Sequence, residues 1–430
     1  MFAASLFLLL FVLLILGVPI YGAIGLSTLL HYFDTGREAV LLVFTQQLFR
    51  GITGYALLAV PMFILAGNIM SKSGITDRLI ELAKALIGHF TGGVAQVNIL
   101  ASVFFASISG SAHADVAAIG SVLIPAMEKE GYKKGFAGAL TAASGILSPL
   151  FPPSIVMVVY GATFGVSIGA LFAAGMGVAL LLALIQMVIT YLLVRKLDLP
   201  RQPRRSMKEI GRATWRAILP LGMPIIILGG IMGGYFTATE ASAVAVFYAL
   251  VVSLVVYRNL TLKDLYEIFR KTAFTSAAII ILMGMARIFS YVIARRNIPD
   301  QIMNSMLGFS ENPQVLLFIV LAVLVVAGMF IDRTTNILLF TPIVAPILVN
   351  VLGFSPLHAG MSIIMALGIG HLTPPVGGTL ITTALVGNLS VEEVTRYSWP
   401  YILSLFIITF IVLYVPQITE TIPRMLGFAF

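Results

Sequence analysis

The stretch AGALTAASGILSPLFPPS, residues 137–154, returns as AGMSIIMALGIGHLTPPV, residues 359–376. Each copy opens on Ala-Gly and closes on consecutive prolines, Pro152-Pro153 and Pro374-Pro375. Prolines in an apolar run remove backbone donors and clash with the preceding turn, so a helix entering either copy unwinds there. The repetition extends both ways. ITDRLI (75–80) precedes the first copy and IPDQIM (298–303) the second, while GVSIGALF (165–172) and GNLSVEEV (387–394) follow. The order is kept, and Ala359 follows Ala137 by 222 residues as Ile298 follows Ile75 by 223. Five predicted spans separate the copies, an odd number, so the two halves are expected to have opposite topology. Inverted repeats of this kind mark alternating-access secondary transporters.

Composition agrees with a membrane setting. Of 430 residues, 59% are hydrophobic and 10% charged, against roughly 25% charged in soluble proteins. Mean hydropathy is +1.03. Repeated apolar stretches of about 20 residues are long enough to cross a bilayer. The short alternating segments of a β-barrel are not seen. The net charge of +8 comes from basic loop clusters, which write membrane orientation and are no nucleic-acid footprint. Cysteine is absent, which excludes disulfides and thiolate metal sites. The first charge is Asp34, so the apolar start reads as a retained helix and not as a signal peptide.

The fold class expected is an all-α polytopic membrane protein, an inverted-repeat transporter with about nine full spans. These fall near 4–30, 51–70, 136–164, 168–194, 217–236, 238–257, 273–294, 356–387 and 397–415. Two further stretches, 92–127 and 313–350, are broken in the middle by SGSAHAD and DRTTN. Each fits a re-entrant hairpin with its tip inside the protein. The organisation predicted is a first repeat over 1–194, a basic linker at 195–216, a connecting span at 217–236, a second repeat over 237–415 and a tail at 416–430. The linker carries eight basic residues and is assigned to the cytoplasm. Alternating outward from it leaves only Arg37, Arg50, Arg295, Arg296 and Arg424 outside, with the N-terminus cytoplasmic and the C-terminus external.

Four polar features then pair up. The tips are Ser107 to Asp115 and Asp332 to Asn336; the unwound segments are Ser148 to Ser154 and His371 to Gly378. Non-helical backbone at membrane depth survives where it is buried in protein or lines a wet cavity. Freed carbonyls with Ser, Thr, Asn and Asp oxygens suit a hard cation, and half-helix N-termini suit an anion. The expectation is two related cation sites flanking a carboxylate site. Plainer readings stand beside this one. Single Ser, Thr or Gly residues in membrane helices usually serve packing, and a lone Pro-Pro is more often a kink. Asp332 and Arg333 would form a simple charge pair. His113 and His371 read as packing residues ahead of proton carriers, and Glu240 as a helix cap. Asp115 and Asp332 are harder to dismiss, because a carboxylate within a membrane is expensive.

The motifs LAVPMFILAGNIMSKSGITDRL, GGVAQVNILASVFFASISGSAHADVAAIGSVLIPAM, ILSPLFPPSIVMVVYG, TATEASAVAVFYAL, LTPPVGG and LSVEEVTRYSWP together resemble the large, DctM-like membrane subunit of tripartite ATP-independent periplasmic (TRAP) transporters. The resemblance covers nearly the whole chain. It implies Na⁺-coupled uptake of an organic acid, of the sialic acid or C4-dicarboxylate class, by an elevator motion in a bacterial inner membrane. It also implies a periplasmic substrate-binding protein and, since no fused segment is evident, a separate small four-helix membrane subunit. FIDRTTN and VGGTL depart from the commoner family pattern.

On this reading the sodium contacts are assigned to Ser107, Ser109, Ser111, Gly145, Ser148, Pro149, Asp332, Thr335, Asn336, Thr373 and Gly377. Solute contacts are assigned to Ser109, Gly110, Ser154, Thr334, Pro374, Gly378 and Thr379, and Asp115 is given the role of holding its tip together. Na⁺ is the one metal expected, and no cofactor. At least two Na⁺ would bind first and create the anion site. The scaffold would include 4–30, 238–257 and amphipathic arms near 38–50 and 261–271. Two alternatives are a Na⁺/carboxylate symporter of similar architecture working without a binding protein, and an intramembrane hydrolase using Asp115 and Asp332 as an acid/base pair. The latter is disfavoured because both carboxylates sit in repeat-related tips.

Overall fold

The computed structural model describes residues 2–33, 39–197, 199–200 and 202–430. Asp34, Arg37, Asp198 and Arg201 lie outside the described residues, so the sidedness inferred from Arg37 has no structural counterpart. Every regular element among the described residues is helical. The first half comprises α1 (Phe2–Ile15), α2 (Ile20–Phe33), α3 (Ala39–Ile52), α4 (Ala59–Lys72), α5 (Ile75–Ile87), α6 (Gly93–Ser109), α7 (Ala112–Lys129), α8 (Lys134–Gly145), α9 (Ile155–Phe164) and α10 (Ile168–Val194). The second half comprises α11 (Met207–Met232), α12 (Ala238–Val251), α13 (Leu262–Arg295), α14 (Ile298–Phe309), α15 (Pro313–Phe330), α16 (Arg333–Pro346), α17 (Pro356–His371), α18 (Gly378–Gly387), α19 (Val391–Tyr414) and α20 (Gln417–Met425).

Among the described residues, eight helices are long and apolar enough to cross a membrane. The span expected over 4–30 is instead two helices. Gly17, at φ +79°, and Pro19 interrupt it, and α1 folds back on α2 so that Ser5 Oγ stands 3.0 Å from His31 Nε2. Each has 14 residues. At about 1.5 Å per residue that is roughly 21 Å, short of a ~30 Å hydrocarbon core. The arm at 261–271 and the span at 273–294 merge into α13, one helix of 34 residues. Part of the basic linker is already helical in α11, and the tail contains α20.

The sequence repeat is a repeat of structure. α6 and α7 fold into one hairpin, α15 and α16 into another. The two proline-rich segments separate α8 from α9 and α17 from α18. Equivalent ends carry equivalent devices. Left-handed residues precede α5 and α14 (Gly74, φ +73°; Asn297, φ +50°) and close α9 and α18 (Gly165, φ +73°; Asn388, φ +48°). Ser167 and Ser390 cap α10 and α19 by accepting a backbone N–H three residues on. Both Pro-Pro bonds are cis.

The most enclosed elements are α8 and α17, buried from Gly135 to Gly145 and from Leu357 to His371. Large apolar side chains such as Leu184, Ile225, Phe247 and Phe274 point outward instead. That distribution suits a lipid surround, where helices associate by close packing and interhelical hydrogen bonds. α12 packs on α4, and α13 on α2, α3 and α4. Asn68 donates to Thr272 Oγ1 at 3.0 Å, tying α4 to α13. These helices thus pack on one another, with α13 facing the hairpins. Glu240 is the cap it was read to be: Thr237 Oγ1 accepts from its N–H, and its carboxylate accepts from the Thr237 N–H at 2.8 Å.

Candidate functional site

Each hairpin tip docks on an unwound segment. Gly110, at φ +60°, ends α6 in a conformation that other residues avoid. A β-carbon there would stand 2.3 Å from the Pro153 carbonyl, so only glycine lets the first tip lie against the first break. In the second half the Gly377 N–H donates to Met329 O at 3.0 Å, joining the second break to α15. The breaks are closed locally by side chains. Ser154 Oγ donates to Pro149 O at 2.7 Å and caps α9. Thr379 Oγ1 donates to His371 O at 2.8 Å across the second gap.

The two tips meet at a cavity of about 590 Å³. From the first half it is lined by Gly110, Ser111, His113 and Pro149; from the second by Asp332, Arg333, Thr334, Thr335 and His371. Its far wall is α13 through Thr275, Ala278 and Ile279, with Tyr21 of α2. A second cavity of about 480 Å³ holds Ser109 and Asn68 and shares Ser111, His113, Ile155 and Thr275. The site lies at the seam between hairpins and scaffold.

Six expected ligands therefore line the main cavity: Gly110, Ser111, Pro149, Asp332, Thr334 and Thr335. Ser109 lines the neighbouring one. The others sit behind the walls, mostly with local tasks. Ser107 Oγ donates to Phe104 O, and Thr373 Oγ1 to Ile369 O. A β-carbon at Gly145 would meet Val116 at 2.5 Å, so Gly145 lets α8 approach α7. Ser148 and Asp115 are fully buried. The Asp115 carboxylate faces the Ser102 and Ser148 hydroxyls without completing a tight hydrogen bond. Ser102 continues into a buried ladder through Ser144, Asn98 and Thr141. Asp115 thus stands between α6, α7 and the first break.

Two side chains at the second tip are left unsatisfied by the protein. Asn336 is fully buried; its Nδ2 donates to Ala327 O and Ile331 O, and its Oδ1 has no hydrogen-bond partner. Arg333 is 2% exposed, and all three guanidinium nitrogens lack hydrogen-bond partners. The simple Asp332–Arg333 charge pair is not what forms. Asp332 turns to the two histidines, its Oδ1 standing 3.7 Å from Nε2 of His113 and 3.7 Å from Nε2 of His371. Arg333 lies against α17, where the missing side chain of Gly368 makes room for its guanidinium. The motif reading gave Arg333 and both histidines no ligand role. The available signal was FIDRTTN itself, an arginine in an apolar run. The carboxylate pair of the hydrolase reading does not converge as one unit: Asp115 faces serines and Asp332 faces histidines.

Two folded-back hairpins docked on two unwound helices, with a polar cavity between their tips, define a polytopic permease of the hairpin-and-broken-helix kind. The sequence profile described as "Tripartite ATP-independent periplasmic transporter, DctM component" matches residues 7–418, and the chain belongs to that family. It is 40% identical to the sialic acid TRAP transporter large permease SiaM of Vibrio cholerae, covering 88% of this chain and 89% of that protein. It is 38% identical to the C4-dicarboxylate TRAP transporter large permease DctM of Pseudomonas aeruginosa, over 94% and 93% of the two chains. Among solved structures, the YdaH transporter of Alcanivorax borkumensis shares the fold with a TM-score of 0.62 at 15% identity, covering 89% and 90%. The family is one of transporters and the Vibrio and Pseudomonas relatives are named as permeases, so the chain is a transport protein and not a hydrolase.

Proposed function

We propose that this chain is the large membrane subunit of a Na⁺-coupled secondary transporter that takes up an organic acid of the sialic acid or C4-dicarboxylate class. In this reading a periplasmic binding protein delivers the solute and a small four-helix membrane subunit completes the complex. The chain sits in a bacterial inner membrane with its N-terminus cytoplasmic, its C-terminus periplasmic, and its halves as inverted repeats. The names of the Vibrio and Pseudomonas relatives support the solute class, and the basic clusters support the orientation.

One observation carries the proposal. Within four residues, the second tip holds a buried acceptor without a donor, Asn336 Oδ1, and a buried cation without an acceptor, the Arg333 guanidinium. Each such group costs free energy until it finds a partner. The oxygen fits a hard cation such as Na⁺. The guanidinium fits a carboxylate, which it can hold with two parallel bonds. A tip short of one cation and one anion is what a sodium-coupled carrier of organic acids requires. Thr373 and Gly377 would complete the second ion site, with Ser109, Ser148 and the carbonyls around Pro149 in the first. Solute would lie between Gly110, Ser111, Thr334 and Arg333.

Binding both charges lowers the cost of carrying either through the membrane. The hairpins and broken helices then slide past the scaffold of α2, α3, α4, α12 and α13 as an elevator. The test is uptake by proteoliposomes holding the chain and its small subunit, with N-acetylneuraminate and succinate as probes. Uptake should require the soluble binding protein. Arg333→Gln should lower it at least tenfold, about 1.4 kcal/mol. Full uptake without any soluble component would favour the self-sufficient symporter, and full activity in Arg333→Gln would remove Arg333 from solute binding.

A further inference from the structure

We propose that His113, Asp332 and His371 form a binding site for a divalent transition metal of the Zn²⁺ class. Such an ion would clamp both hairpin tips to the second broken helix and hold the carrier still. The inference concerns a ligand other than the solute and the coupling Na⁺, and it stands whether or not the sodium reading does.

Hydrogen bonding fixes which atoms face one another. Asp332 Oδ2 accepts the Thr334 N–H at 2.9 Å, leaving Oδ1 for the two imidazoles. Thr382 has one hydroxyl proton and donates it to Gly378 O at 2.8 Å. That leaves the Thr382 oxygen free to accept from His113 Nδ1, 2.7 Å away. With its proton on Nδ1, His113 turns an Nε2 lone pair toward Asp332 Oδ1. His371 Nε2 faces the same oxygen from the buried side, and its Nδ1 is buried without a hydrogen-bond partner. Nε2 of both histidines and a carboxylate oxygen thus converge on one point.

The dimensions suit an ion. The three ligand atoms lie within 4.8 Å of one another. Metal–nitrogen and metal–oxygen bonds near 2.1 Å place tetrahedral ligands about 3.4 Å apart. The two 3.7 Å pairs come within about 0.3 Å of that, and the imidazole pair must close by at most about 1.4 Å, which the exposed His113 ring can do by rotating. Gly378 keeps the space open, since a β-carbon there would stand 2.7 Å from His371 Nε2 and 3.1 Å from His113 Cε1. Thr382 Oγ1 on His113 Nδ1 is the kind of outer partner that histidine ligands normally have.

Ligand type sets the metal. Two imidazoles and one carboxylate suit Zn²⁺, Co²⁺ or Ni²⁺, whereas Na⁺, Mg²⁺ and Ca²⁺ prefer oxygen alone. His113 and Asp332 have side chains 45% and 49% exposed to the cavity, which supplies an entry path and a fourth position for water. The charges facing the site are Asp332 and the nearby Arg333. The guanidinium opposes a second cation, so affinity in the micromolar range is expected. The three ligands come from α7, the second tip and the end of α17, so a bound ion would cross-link all three.

The experiment titrates Zn²⁺ by calorimetry, and Co²⁺ by visible absorption, into full-length protein purified without a histidine tag and stripped with chelator. One Zn²⁺ per chain should bind, with a tetrahedral Co²⁺ spectrum. His113→Gln, half-exposed and thus tolerant of replacement, should weaken binding at least tenfold, as should His371→Gln. Thr382→Val should weaken it by about tenfold, because the histidine loses its orienting partner. Micromolar Zn²⁺ should also stop uptake by the wild type, and chelator should restore it. Equal Zn²⁺ affinity in the wild type and the His113→Gln/His371→Gln double variant overturns the proposal, as does the absence of submillimolar binding.

Discussion

Gly110 and Pro153 are pressed together so closely that a single added carbon on Gly110 would overlap the Pro153 carbonyl oxygen, at 2.3 Å. That contact joins the first hairpin to the first broken helix, and the Gly377 N–H on Met329 O does the same in the second half. The site therefore depends on backbone contacts that hold each tip against an unwound segment, as well as on side chains.

Gly110→Ala should accordingly lose both shape and function. Alanine meets the carbonyl and must also adopt a left-handed backbone, together about 2–4 kcal/mol. Thermal unfolding in detergent should show a large destabilisation and uptake should be abolished. A Gly110→Ala protein of wild-type stability and rate would mean that the tip does not rest on this carbonyl.

A remote cap provides the contrast. Thr237→Ala removes half of the Thr237/Glu240 capping box at the start of α12, which should cost about 1 kcal/mol. Melting should move down while the apparent affinity for solute stays unchanged. A change in Na⁺ dependence would show that this turn belongs to the coupling machinery.

The chain contains no cysteine, so a single introduced thiol reports on one place. Ile155 borders both cavities at the seam with α13. Ile155→Cys should react with a hydrophilic thiol reagent, and Na⁺ should lower the rate several-fold relative to K⁺ as the tips order. An identical rate in the two salts would separate tip order from sodium.

Much of this architecture was legible because proline chemistry and repetition are local signals. LSPLFPPS and HLTPPVGG predicted the two breaks, SGSAHAD and DRTTN predicted the two tips, and the breaks fall between α8 and α9 and between α17 and α18. The first span was misread because α1 and α2 are both apolar, and the break between them is only Gly17-Val18-Pro19. Hydropathy sums across so short an interruption. At the site, residue types that donate oxygen were recognisable, but their burial was not. Ser154 and Thr379 proved to be closing hydrogen bonds of the unwound segments. Arg333 gained importance only through its burial, and His113 and His371 only when folding brought them to Asp332, because proximity between distant tips is not written in either tip alone.

Sodium dependence of solute accumulation tests the account most directly. Proteoliposomes containing the chain with its small subunit, supplied with the binding protein and either N-acetylneuraminate or succinate, should accumulate solute above equilibrium under an inward Na⁺ gradient. The rate should rise more steeply than first order in Na⁺, as expected for at least two coupling ions, and collapse when K⁺ replaces Na⁺. Equal accumulation under a K⁺ gradient would contradict it.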